Sequence, residues 1–131
     1  MSNTPPEIPS SCKYTKEHEW ARMHGSEVEV GITAFAAQQL GDVVFVELPA
    51  VGRALTAGQP FGVVESVKSV SDLFAPLSGR VTAVNTELES APERLNEAPY
   101  AQGWILRMQP DDLQAFQNLL SAEEYATWIN P

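Results

Sequence analysis

Phe61-Gly62-Val63-Val64-Glu65-Ser66-Val67-Lys68-Ser69-Val70-Ser71-Asp72-Leu73-Phe74-Ala75 contains two β-rich runs with a short polar break between them. Phe61 to Glu65 and Val70 to Ala75 are rich in the β-branched and aromatic residues that fit a pleated surface. Ser66-Val67-Lys68-Ser69 separates them, so the spacing predicts a hairpin with Lys68 at or beside its tip. A tip has few neighbours to cover it, which leaves the amine open to another protein. Lys68 is also the only lysine after residue 17, the other two being Lys13 and Lys16.

Working outward, strand signals follow one another closely. Trp20-Ala21-Arg22-Met23 and Glu27-Val28-Glu29-Val30 flank His24-Gly25-Ser26, and the strict alternation of the second run predicts a hairpin with one wet face. Thr33 is placed to cap a short helix from Ala34 to Leu40, with Gly41 ending it in the left-handed conformation. Val43 to Leu48 is nearly all apolar and predicts a buried strand that Pro49 stops. Beyond the central hairpin, Pro76-Leu77-Ser78-Gly79 predicts a turn and Arg80 to Asn85 a further strand.

Ser90-Ala91-Pro92-Glu93 fits a capping box opening a short helix, and Gly103 to Met108 predicts the last strand. Leu113 to Leu120 reads as helical, and Ser121-Ala122-Glu123-Glu124 is a second capping box leading into a terminal helix to about Ile129. The class is mainly β, with short peripheral helices and a C-terminal helix. Residues 1–11 hold three of the ten prolines and little to bury, so they are expected to form a disordered tail before one domain over residues 12–131.

The chain has 131 residues and a net charge of −9. That charge argues against nucleic acid and anionic membrane as partners, since both call for a basic face. A single cysteine, Cys12, permits no internal disulfide. Neither a secretory signal nor a mitochondrial presequence is evident, and no run is long and apolar enough for a membrane span, so the expectation is cytoplasmic.

Most catalytic patterns are missing. His18-Glu19 lacks the second histidine, four residues on, that a zinc protease needs, because His24 is six away; no metal site is expected. No phosphate-binding glycine loop and no Gly-x-Ser-x-Gly elbow occurs. Lys68 is left with three roles: a solvated surface amine, an enzyme nucleophile, or an attachment point for a carrier group. A nucleophilic lysine needs a depressed pKa, whereas Glu65 and Asp72 favour the protonated form. The surroundings suit modification by a dedicated ligase better.

Glu65 to Asp72 resembles the lipoyl-lysine motif of the H-protein family of the glycine cleavage system. Tyr14 to Trp20, Val30 to Thr33, Gln39 to Pro49, Asn96 to Tyr100 and Gly103-Trp104 resemble further blocks of that family, in the same order. The resemblance runs over about residues 13 to 129. Val67 and Ser69 stand where a biotin carrier usually has methionines, and the Asp-Lys-Ala of 2-oxoacid dehydrogenase lipoyl domains is absent.

The resemblance implies a barrel-sandwich hybrid fold and lipoate joined as an amide to Lys68. It implies a non-catalytic, monomeric carrier. Such a carrier takes an aminomethyl group from a pyridoxal-phosphate glycine decarboxylase (P protein) to a tetrahydrofolate-dependent aminomethyltransferase (T protein). Dihydrolipoyl dehydrogenase (L protein) then reoxidises it. Glu65, Gly52 and Gly79 are the implied candidates for recognition by the lipoylating enzyme, and Glu19 and Asp72 for contact with the loaded arm. Two other readings stand beside it: an H-like lipoyl carrier in sulfur oxidation or lipoyl relay, and an enzyme with Lys68 as nucleophile.

Overall fold

The alternating run that begins at Glu27 forms the predicted hairpin, but without the expected wet face: every residue from Val28 to Ile32 is buried, Glu29 included, because the run lies inside a larger sheet. A computed structural model describes residues 6–130 of the chain. The described strands are, in chain order, β1 (Lys13–Tyr14), β2 (Glu19–His24), β3 (Glu27–Ile32), β4 (Val43–Glu47) and β5 (Ala54–Leu55), then β6 (Pro60–Ser66), β7 (Val70–Phe74), β8 (Gly79–Val84) and β9 (Leu106–Pro110). One sheet has the order β1-β2-β3-β9-β8-β5 and the other β4-β6-β7. Every pairing is antiparallel. The architecture is mainly β and sandwich-like.

Val28, Val30, Leu106 and Met108 of the large sheet share one buried cluster with Val46, Val64 and Leu73 of the small one. Each such side chain contributes about 1.5–3 kcal/mol on leaving water, which makes this cluster the main bond between the sheets. A second cluster joins Cys12, Tyr14, Trp20 and Tyr125, with Ile8 and Trp104 packed on it. Of the segment expected as a tail, residues 1–5 lie outside the described residues. Pro9 accepts a hydrogen bond from the Tyr14 hydroxyl at 2.5 Å, and Glu7 accepts one from Tyr100 at 2.7 Å.

Five helices are described: α1 (Ala34–Leu40), α2 (Glu87–Ser90), α3 (Arg94–Glu97), α4 (Leu113–Gln117) and α5 (Ala122–Ile129). Thr33 caps α1 by accepting from the Ala36 N–H, and the Ser121–Glu124 capping box opens α5 with both reciprocal bonds made. None of these helices is long and apolar enough to cross a membrane.

Five further expectations need correction. The fourth helix ends at Gln117 and not at Leu120, whose backbone is drawn into an antiparallel bridge with Tyr14. Val44 and Phe45 are each about half exposed (51%), because β4 is an edge strand with a bulge between Val43 and Phe45. Ser90 closes α2 instead of opening a helix, its hydroxyl donating to the Glu87 carbonyl. Pro92 cannot continue that helix, so a separate turn, α3, starts at Arg94. The last strand starts at Leu106, not Gly103, since Gly103 and Trp104 donate to Ala98 and Ala101 within turns. Gly41 ends α1 with φ 77° but ψ −158°, a mirror-extended conformation open to glycine and not the left-handed helical one.

Candidate functional site

The β6–β7 hairpin is the platform for Lys68. Its register runs from Pro60↔Phe74 to Glu65↔Val70. Ser66 closes the turn: its N–H donates to the Ser69 carbonyl at 2.8 Å and its hydroxyl oxygen accepts from the Ser69 N–H at 3.1 Å. Beyond it Val67, Lys68, Ser69 and Val70 are all exposed. The turn is also tied to the rest of the fold, since the Val67 N–H donates to the Asp42 carbonyl at 3.0 Å. Asn96 in turn clamps the Asp42 loop, donating to the Gly41 carbonyl at 2.7 Å and accepting from the Val43 N–H at 2.9 Å. The backbone at Lys68 is thus fixed while its side chain stays accessible. That chain lies over Gly41, where an added Cβ would come within 3.4 Å of the Lys68 Cε.

A cleft of about 210 Å³ opens next to the tip. Ser69 lies at its rim, Ile32, Phe35, Leu40 and Leu73 form apolar walls, and Glu19, Asp72 and His18 supply its polar groups. Glu19 is 2% exposed. Its carboxylate accepts from the Thr15 hydroxyl at 2.7 Å and from the Phe74 N–H at 3.3 Å. Among the described residues no ion pair includes it. Burial pushes its pKa up to about 8, against the opposing pull of the Thr15 and Phe74 hydrogen bonds. Asp72 is exposed on β7, opposite Val63. The Glu19 carboxyl thus lies buried in the lining of a cleft with apolar walls and has no cation beside it among the described residues.

Glu19 and Asp72 therefore line one cleft, and Lys68 adjoins it through its neighbour Ser69. Glu65 lies one turn residue from the tip, paired with Phe45 and Val70. Gly52 and Gly79 lie elsewhere, at the β5–β8 end of the large sheet. There Gly52, at φ 95°, donates to the Val81 carbonyl, and Leu55 pairs with Gly79. A Cβ on Gly79 would overlap the Gln109 backbone carbonyl and come within 2.9 Å of the Pro110 Cα, so packing alone asks for glycine there. No cluster of three or more metal-ligating side chains occurs among the described residues.

In the sequence, Thr15 and Asn96 stand out only as members of the blocks Tyr14 to Trp20 and Asn96 to Tyr100, with no role attached, and Tyr125 is not singled out. Asn96 sits on a one-turn helix, and Tyr125 on a helix remote in sequence from the tip. His18 had one visible signal, its place beside Glu19. It is the one described non-glycine residue with positive φ (73°).

Comparison with known proteins places these features in a lineage. The family model described as glycine cleavage H-protein matches residues 12–131. The chain is 55% identical to the glycine cleavage system H protein of Anoxybacillus flavithermus, over 94% of this chain and 97% of that one. It is 58% identical to that of Rubrobacter xylanophilus, over 92% and 93%. The crystal structure of a glycine cleavage system H protein from Mycobacterium marinum superposes with a TM-score of 0.86 at 42% identity, covering 95% of this chain and all of the other.

Proposed function

This chain belongs to the glycine cleavage H-protein family, whose members are non-catalytic lipoyl carriers, and we propose that Lys68 is the residue that bears its lipoyl group. The observation that carries this reading is the tip: an exposed lysine on a backbone locked by Ser66 and Asp42, next to a cleft with apolar walls. The other two lysines lack that setting. Lys13 is in β1, and Lys16 stacks on the Trp128 ring at 4.9 Å. The fit to the group is good on the chain's own terms, since an aliphatic arm suits Ile32, Phe35 and Leu73, and a cationic end suits Glu19.

When bound, lipoate supplies a dithiolane that accepts an aminomethyl group and carries it between active sites. The protein supplies presentation and protection. The rigid turn holds the attachment point where a partner enzyme can reach it, and tethering raises the local concentration of the arm at each partner. Glu19 receives the ammonium end of the loaded arm in the cleft, and Asp72 adds a second, solvent-screened charge at the rim. Glu65, beside the tip, serves recognition by the lipoylating enzyme, with Gly52 and Gly79 as more distant candidates. The partners are the glycine decarboxylase, the aminomethyltransferase and dihydrolipoyl dehydrogenase, met in the cytoplasm by a monomer.

Intact mass of protein made in a lipoate-replete host tests the assignment. The expected result is one lipoyl increment, located at Lys68 and missing in Lys68→Arg. Reconstitution with glycine decarboxylase should then give exchange of carbon dioxide into glycine with the native chain and none with Lys68→Arg, which keeps its fold. An unmodified Lys68, or a lipoyl group elsewhere, contradicts the proposal.

A further inference from the structure

His18, Tyr125 and Thr33 form a chain of hydrogen bonds between the cleft and the C-terminal helix. His18 Nδ1 lies 2.9 Å from the Tyr125 hydroxyl, which lies 2.8 Å from the Thr33 hydroxyl. The direction of the protons follows from Thr33. Its side chain is fully buried, and its oxygen already accepts from the Ala36 N–H at 3.1 Å as the cap of α1. Among the described residues, the only acceptor within reach of its own proton is the Tyr125 oxygen. Tyr125 must then direct its proton to His18 Nδ1. The reverse direction would leave the Thr33 proton buried and unpaired, which is unfavourable. Nδ1 is thus an acceptor, and the histidine proton sits on Nε2, which makes no hydrogen bond among the described residues.

We propose that Tyr125 is a positioning residue: with Thr33 it locks His18 as the neutral, Nε2-protonated tautomer, so that the cleft beside Glu19 offers a hydrogen-bond donor and no competing cation. The functional half of this rests on the reading of the cleft as the resting place of the loaded arm. A protonated His18 would neutralise the charge with which Glu19 receives the arm's ammonium end.

Three further features support the lock. His18 is held in the left-handed region by its N–H donating to Thr15 at 3.2 Å and its carbonyl accepting from Thr33 at 3.0 Å. Its ring packs against Phe35 at 5.0 Å and edge-on to Tyr125 at 5.8 Å. Tyr125 is itself stacked on Tyr14 at 4.7 Å. The titratable groups around the ring are Glu17 and Glu19 on its own segment, Tyr125 on α5 and Asp72 across the cleft; α1 contributes none. Burial lowers the His18 pKa and outweighs Glu17, in keeping with a neutral ring.

Imidazole nitrogen NMR on the unmodified protein tests the lock directly, with exposed His24 as the internal reference. The expected result is a single His18 tautomer, bare at Nδ1, which persists from about pH 8 to about pH 6. Tyr125→Phe keeps the ring stack and removes the donor; His18 should then exchange between tautomers and titrate at higher pH. Thr33→Ser should behave as the native chain. An Nδ1-protonated or mixed tautomer in the native chain, or a Tyr125→Phe spectrum unchanged from it, overturns the proposal. On aminomethyl-loaded protein, Tyr125→Phe should lose the group roughly fivefold faster near pH 6, with the difference closing near pH 8. Equal rates at both pH values overturn the functional half. A native chain with the locked tautomer but no lipoate on Lys68 contradicts the carrier assignment and leaves the lock supported.

Discussion

Two buried glutamates lie on the same hairpin and have opposite surroundings. Glu29, 4% exposed in the middle of β3, accepts from Arg22 at 2.5 Å and from Arg107 at 3.0 Å. Those guanidiniums lie over the rings of Trp20, at 4.5 Å, and Trp104, at 4.1 Å. Glu19, 2% exposed at the start of β2, has a hydroxyl and a backbone N–H and no cation. The first carboxylate is neutralised within the fold and belongs to its structure. The second is left wanting a positive charge, and it faces the cleft that opens beside Lys68. Burial of a carboxylate alone thus says little about its role; the partner does.

Removing Glu29 should have the largest effect on stability. Glu29→Ala leaves two guanidiniums facing each other, and because both are about a quarter exposed the cost should be on the order of 2–3 kcal/mol in chemical denaturation. A change near zero would mean that the Arg22–Glu29–Arg107 triad does not hold the sheet, and the contrast with Glu19 would lose one side.

Glu19 should show itself in the dependence of stability on pH. Its carboxyl pKa is raised in the folded chain, so between the ordinary glutamate value and about 8 the folded state binds the extra proton. Stability from this residue is therefore greatest below that window and falls by up to a few kcal/mol as pH rises through it. His18 acts in the opposite sense. Its lowered pKa means stability is lost as pH falls below about 6.5, where the unfolded histidine takes up a proton first. Glu19→Gln should abolish the decline on the alkaline side and leave the acid side intact. An unchanged alkaline slope in thermal melts would show that Glu19 ionises normally.

The cleft should distinguish its two acids by exposure. In aminomethyl-loaded protein, Glu19→Gln should speed spontaneous loss of the group by roughly tenfold, while Asp72→Asn, whose charge is screened by water, should change it about twofold. Equal effects would move the binding site for the cationic end out to the rim.

The smallest effect lies away from both glutamates. The Thr82 hydroxyl is buried without a partner among the described residues. Thr82→Val should therefore raise stability by up to about 1 kcal/mol, a gain measurable by denaturant titration.

The tip was legible because local chemistry makes it. Two β-rich runs around Ser66–Ser69 can form little other than a hairpin, and the capping box at Ser121 depends only on neighbours in sequence. Two other regions were misread. The apolar run at Val43 suggested a strand buried on both faces, yet the outer face of an edge strand has nothing to cover it. Gly103 and Trp104 carry strand-like neighbours but are drawn into turns by carbonyls of Ala98 and Ala101. In the site, Lys68 was visible from its flanks. The state of Glu19 was not, since it depends on Thr15, on the backbone of Phe74 and on the absence of an arginine like those at Glu29. Asn96 and Tyr125 act across 50 residues or more, bonding with Gly41 and with His18, and no cap or hydrophobic period marks them.

Carboxyl carbon NMR titration of Glu19, in the unmodified chain and in the aminomethyl-loaded one, tests the central contrast most directly. A carboxyl that titrates near 8 in the unmodified chain, and well below that value once the arm's ammonium end occupies the cleft, is the predicted result. A Glu19 that titrates in the ordinary carboxylate range in the unmodified chain, or one that ignores the loaded arm, would contradict the account.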